Sequence, residues 1–224
     1  MVMRRTAITL LVIVSASAGI FAQRSFGIKG GISIANQSIS GEFDPDIVRP
    51  MIGFHGGVFL TWMFSGKIGV QPELLYSLQG SKTSWTSWAD EAYEDRLGYI
   101  TLPVLLRLNI NELFSLHAGP QFGYLLSATE KFKGETNDIR DGFKDSDLGV
   151  AFGAELDLPA RLGYGSARGG VSSLRKVNLP TRLGLGVRYV LGLYDVVVVD
   201  GVWEGFEVKN NTIQVYLKYR IAGG

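Results

Sequence analysis

Cysteine is absent from all 224 residues, so neither a disulfide framework nor thiolate chemistry is available to this chain. A surplus of charge is missing too: 22 Lys and Arg stand against 21 Asp and Glu, a formal net charge of +1. Without a basic excess to neutralise phosphates, nucleic-acid binding has no electrostatic support. Histidine is scarce, with only His55 and His117, which leaves little for general-base or metal chemistry. Past the N-terminus, no apolar run reaches the ~20 residues that a membrane helix requires. If the mature chain enters a membrane, it does so as strands.

Glycine and aromatic residues are plentiful: 29 Gly, 12 Phe, 9 Tyr and 4 Trp. The N-terminus reads as a signal peptide over residues 1–22. Arg4 and Arg5 precede an apolar run from Ala7 to Ala18, and small residues follow, with Ala16-Ser17-Ala18 or Ile20-Phe21-Ala22 as cleavage candidates, the second giving the 1–22 boundary. Its removal leaves a nearly neutral barrel domain over 23–224, with 20 basic residues against 21 acidic ones.

From Ser25 onward the pattern has period two, in eight segments at 25–37, 50–64, 68–81, 97–109, 114–131, 146–158, 181–193 and 210–222. Each is long enough to cross a bilayer at a tilt. One face is apolar, as in Ile100, Leu102, Val104, Leu106 and Leu108, or Ile213, Val215, Leu217, Tyr219 and Ile221. The other is polar or small. It carries Lys29, His55, Gln71, Glu73, Gln79, Arg107, His117, Gln121, Glu155, Arg188, Gln214, Lys218 and Arg220, with many glycines between them.

A soluble lipocalin-like barrel would turn the apolar face inward. The crowding of glycine on the polar face, and its charges of both signs, favour the inverted arrangement: an all-β, antiparallel transmembrane barrel of about eight strands. Lys29, Glu73, Arg107, Glu155, Arg188, Lys218 and Arg220 are then expected to form a lumen ion-pair network. The expected pairs across neighbouring strands are Glu73 with Arg107 and Glu155 with Arg188. Trp62, Tyr189 and Tyr219 near strand ends, with Tyr76 and Tyr124, are the candidates for an aromatic girdle. The connections at 65–67 and 110–113 are short and suit periplasmic turns. Those at 38–49, 82–96, 132–144 and 195–209 are long and suit extracellular loops. The long connection 159–180 falls on the periplasmic side and breaks that rule.

Several blocks in order resemble one known family. They are Gly27-Ile28-Lys29-Gly30-Gly31 followed by Asn36, then Gln71-Pro72-Glu73-Leu74-Leu75-Tyr76 with Gly80. Tyr99-Ile100, Leu102-Pro103-Val104-Leu105-Leu106-Arg107, Gly119-Pro120-Gln121 and Arg188-Tyr189 with Gly192-Leu193 complete the set. Together they resemble the PorT-like outer-membrane β-barrel family over nearly the whole mature chain. The resemblance implies an eight-stranded barrel in the outer membrane of a Gram-negative envelope, in contact with its lipid.

For function, the expectation is a plugged barrel with a structural or interaction role toward an envelope or secretion partner. A small-solute channel is the alternative, although eight strands enclose an interior only wide enough for side chains. An enzyme at the barrel rim would need a histidine there, and neither His55 nor His117 lies in a long loop. Asp141, Asp145 and Asp147 lack the spacing of a calcium loop. No cofactor, metal or nucleic-acid partner is expected. The aromatic and acidic loop around Trp85, Trp88, Asp90 and Glu91 is a conceivable partner patch.

Overall fold

The computed structural model describes residues 23–40, 48–83, 93–158, 161–162, 177–178, 182–198 and 207–222. The expected signal peptide, the loop containing Trp85 and Trp88, and most of the 159–180 connection lie outside these residues. Eight long strands form the body: β1 (Gln23–Ser40), β2 (Val48–Met63), β3 (Ile68–Thr83), β4 (Tyr93–Asn109), β5 (Phe114–Phe132), β6 (Ser146–Asp157), β7 (Leu183–Gly192) and β8 (Glu207–Ala222). Each pairs antiparallel with its successor, and β1 pairs with β8 to close the ring. Within the 159–180 connection the described residues Arg161–Leu162 and Val177–Asn178 form a two-residue ladder of their own.

The register sets the barrel's dimensions. A walk from Gln23 of β1 passes Met63, Gly69, Arg107, His117, Gly153, Arg188 and Gln214, and returns to β1 at Ser33, ten residues further along. With ~3.3 Å per residue and ~4.8 Å between strands, that stagger tilts eight strands by roughly 40° and gives a backbone radius of about 8 Å.

The connections at one end are tight and chemically specified. Ser65 Oγ accepts from the amides of Lys67 and Ile68 at 3.3 and 3.1 Å. Asn111 Oδ1 accepts from those of Leu113 and Phe114 at 2.9 and 2.8 Å. Short polar side chains that substitute for backbone partners are what such turns favour.

At the opposite end the strands outrun the sequence segments. β1 extends to Ser40, β4 begins at Tyr93 and β8 at Glu207. Beyond a membrane both strand faces meet water, so alternation fades while the ladder continues. The expected loop 132–144 is partly ordered structure as well. Lys133 and Gly134, at φ 52° and 87°, make a two-residue turn, and Glu135–Asp138 pairs back onto the end of β5. Two positive φ values suit the right-handed twist of a hairpin, and glycine takes the second without strain.

The face assignment is inverted relative to a soluble barrel. Leu106, Val215 and Leu217 remain 52–60% exposed on the outside, while Gln71, Glu73, Glu155 and Arg188 are 0–2% exposed inside. On β5 the exposed outward side chains include Phe114, Leu116, Phe122 and Tyr124. The ten steps from Phe114 to Tyr124 span about 25 Å of the barrel axis at that tilt, the height of an outer-membrane apolar band.

Trp62 and Tyr219 stand near the short-turn end of this belt, and Tyr124 stands toward the other. In the ladders Tyr76 and Tyr124 both pair with Ile100, and Tyr189 with Phe152 and Ile213. The strands reach several residues past the belt, so distance from a strand end does not measure depth.

Val215 lies in the middle of the belt and points outward. Replacing it with Arg should destabilise the barrel in lipid by about 2–4 kcal/mol, measured by urea titration in bilayers. Tolerance equal to that of an Arg in the Lys133–Gly134 turn would contradict the inverted assignment.

Candidate functional site

Alternate residues along the strands, with a bulge between Leu125 and Ala128 of β5, point into a lumen about 8 Å in backbone radius, and the chain fills it unevenly. Large inward side chains lie over inward glycines. A Cβ on Gly186 would meet the Tyr216 ring at 2.3 Å, one on Gly27 the Phe59 ring at 2.6 Å, and one on Gly184 the Lys218 side chain at 2.5 Å. Glycine on the polar face therefore makes room for long neighbours.

In the half nearer the short turns, those neighbours are charged. Glu73 accepts two hydrogen bonds from Arg188, Nη1 to Oε2 at 2.9 Å and Nη2 to Oε1 at 2.8 Å. Lys29 Nζ and Gln71 Nε2 also donate to its Oε1, at 2.9 and 2.8 Å. Glu155 accepts from Tyr216 at 2.9 Å, from Lys218 at 2.6 Å and from Arg107 Nη1, with Lys29 Nζ 3.6 Å away. Asp157 extends the network toward the mouth, where Lys218, Arg107 and Arg220 lie within 2.9, 3.2 and 3.5 Å. Lys29 Nζ also sits 3.8 Å from the centre of the Tyr216 ring, a cation–π contact.

The structure thus brings together Lys29, Glu73, Arg107, Glu155, Arg188, Lys218 and Arg220, but not in the expected pairs. Glu73 meets Arg188 rather than Arg107, and Glu155 meets Arg107 rather than Arg188. Register is the reason. Arg107 is level with Gly69, four residues from Glu73 and about 13 Å along the strand. Glu73 and Arg188 sit on β3 and β7, four strands apart in a ring of eight, so they stand on opposite walls and meet across the axis. In so narrow a lumen an extended Arg reaches the far wall more readily than a neighbour out of register.

Two participants escaped the sequence reading. Asp157 shares the face of Glu155 two residues on, a signal that its position beside a turn obscured. Tyr216 alternates with Gln214 and Lys218, and its inward placement follows from that parity.

Toward the long-loop end the lining turns neutral, with Ser33, His55, Ser77, Thr101, Gln121, Thr212 and Gln214 all buried. Ser33 Oγ and His55 Nδ1 are 3.0 Å apart. No carboxylate orients this imidazole, whose Nε2 has no protein partner, and both residues are sealed in the lumen. That is unlike a nucleophile–base pair poised for substrate. His117 Nε2 accepts from Arg188 Nε at 3.2 Å and is tied up in the charge layer.

Higher still an apolar cluster joins the lining, with Asn210 Nδ2 donating to the Tyr99 hydroxyl at 3.3 Å. Leu97, Tyr99, Leu125 and Ala128 form a buried cluster, and Ile139 and Phe143 of the long loop pack on it. Asp195 clasps the neighbouring loop: its Oδ1 accepts from the amides of Val208 and Val197 at 2.9 and 3.3 Å, and its Oδ2 pairs with Lys144 at 2.7 Å. Burial would raise this carboxyl, but the Lys144 ammonium and the two amides outweigh it and hold it below the usual carboxylate range. Among the described residues no group of three or more His, Cys, Asp or Glu is arranged to hold a metal ion.

The family model of the outer membrane protein beta-barrel domain matches residues 21–198. No curated protein sequence matches the chain. Among solved structures it is similar to Neisserial surface protein A, with 12% identity, 90% of this chain and 100% of that one covered, and a TM-score of 0.50. It is also similar to OprG of Pseudomonas aeruginosa, at 14% identity, 91% and 98% coverage and a TM-score of 0.46. A third similar structure is Ail of Yersinia pestis, in complex with the heparin analogue sucrose octasulfate. The values there are 16% identity, 89% and 99% coverage and a TM-score of 0.43.

The cross-lumen pair makes a quantitative prediction. Replacing Glu73 with Gln leaves Arg188 buried without its counter-charge and should cost roughly 3–5 kcal/mol in unfolding titrations. Adding Arg188→Met should recover much of that loss, giving a large coupling energy in the double-mutant cycle. Additive losses would show that the two residues do not interact.

Proposed function

Because the chain belongs to the outer membrane protein beta-barrel domain family and so resides in the outer membrane, we propose that it is a non-conducting barrel with a plugged lumen that anchors long surface loops for contact with an envelope or secretion partner. The observation that carries this reading is the bidentate Glu73–Arg188 pair, which crosses the axis from opposite walls. The Leu97, Tyr99, Leu125 and Ala128 cluster under Phe143 adds a second obstruction at the loop end. A solute passing through would have to part buried opposite charges and then displace an apolar lid. In this reading the protein carries out no catalysis, since the one serine–histidine contact among the described residues, Ser33 with His55, lies between these two obstructions.

The blocks around Lys29, Glu73, Arg107 and Arg188 support placing the chain with the PorT-like members of the family. All four side chains they contribute meet in the charge layer. With short turns on the periplasmic side, both termini of the barrel face the periplasm, as export through a cleaved 1–22 leader requires. Sequencing the N-terminus of protein purified from outer membranes should start at Gln23; retention of Met1 would refute the cleavage.

Planar-bilayer recordings test the plug. The intact barrel should show negligible conductance. Stable ion-conducting openings would overturn the plugged reading and favour a small-solute channel.

A further inference from the structure

The charge layer is unbalanced. Among the described residues it holds five cations, Lys29, Arg107, Arg188, Lys218 and Arg220, around three carboxylates, Glu73, Glu155 and Asp157. The deep cations are matched closely, Arg188 by two bonds to Glu73 and Lys29 by contacts to both glutamates. The surplus falls at the short-turn end. Among the described residues Arg220 reaches a single carboxylate, Asp157, at 3.5 Å, and that group is already shared with Lys218 and Arg107. Lys67, on the turn beside it, makes no ion pair among the described residues.

These groups surround a cavity of about 430 Å³ at the mouth, lined by Lys67, Arg107, Lys218 and Arg220. Asp157 and Glu112 also line it, the first neutralised by its three cations and the second on the exposed turn. Ser115 lines it as well; its hydroxyl is buried, at 2% exposure for the residue, yet has no hydrogen-bond partner. A buried hydroxyl left unpaired beside surplus cations is a ready donor for an anion's oxygen.

We propose that the periplasmic mouth of the barrel is a binding site for a small soluble oxyanion, a solute bearing a phosphate or carboxylate group. Lys67 and Arg220 close on the anion, Arg107 and Lys218 supply the positive field beneath it, and Ser115 donates a hydrogen bond. The site lies inside the ring, so the strand wall separates it from lipid headgroups. The Phe143 lid closes the far end, so the ligand arrives from the periplasm. The side of the membrane rests on the orientation given above, while the site itself does not.

The test is calorimetric titration of the intact barrel, folded in a phosphate-free detergent at low salt, with inorganic phosphate. Saturable one-site binding is expected, weakened about tenfold in both Lys67→Gln and Arg220→Gln. Ser115→Ala should weaken it less, and Lys209→Gln at the opposite end should leave it unchanged. Lys67 and Arg220 lie outside the most buried part of the network, and heat-modifiable gel migration checks that each variant is folded. Absence of saturation, binding in Lys67→Gln and Arg220→Gln as tight as in the unaltered barrel, or equal displacement by chloride at the same concentration would overturn the proposal. Conductance measurements do not enter this test, so its failure and the failure of the plugged reading are separable.

Discussion

A carboxylate taken out of water must be repaid by close opposite charge, and this barrel leaves its carboxylates nowhere else to find it. Eight strands with a stagger of ten residues leave a backbone radius near ~8 Å, so inward side chains from facing walls overlap at the axis. Burying an unpaired Glu73 or Glu155 costs several kcal/mol. Their cations therefore have to sit at the right height on the right strand. Much of the sequence's composition follows from that requirement. Glycines at 27, 184 and 186 clear space for Phe59, Lys218 and Tyr216. Gln71 bridges the two halves of the layer, donating to Glu73 while accepting from Arg107 at 3.1 Å.

The lumen is graded along its axis. Charge occupies the half nearer the short turns, neutral polar groups the middle, and an apolar cluster edged by Gln37, Ser81 and Asn210 the loop end. Several atoms in the middle section, including His55 Nε2, Gln121 Oε1 and both amide atoms of Gln214, have no protein partner. They lie between the charge layer below and the Leu97, Tyr99 and Leu125 cluster above. Such groups are ordinarily satisfied by buried water, which makes this zone the least constrained part of the interior. The outside shows no such grading: an apolar belt wraps every strand, and polar residues return only where the strands leave it.

The fold was legible because alternation in a barrel is enforced on both faces at once, by lipid outside and by a crowded lumen inside. The eight segments and the two short turns appear where the period-two pattern places them. What alternation cannot convey is registry between strands distant in sequence. The membership of the charge layer was readable from parity, but its partners were not. Glu73 finds Arg188, 115 residues away, only because the ring closes with a particular stagger. Asp157 was obscured by its place beside a turn. The ordered hairpin at Lys133–Gly134 shows the opposite case: its turn signal was local, but it lay inside a stretch whose polarity read as loop.

The central claim is that Glu73 and Arg188 clasp the lumen from opposite walls. Solid-state NMR of the barrel in lipid, with labelled arginine and glutamate, measures dipolar couplings between guanidinium nitrogens and carboxyl carbons. The account predicts a strong coupling between Arg188 and Glu73, and one between Arg107 and Glu155. Strong coupling of Arg188 to Glu155 with none to Glu73 would mean that the walls are staggered differently, and the cross-lumen clasp would be wrong.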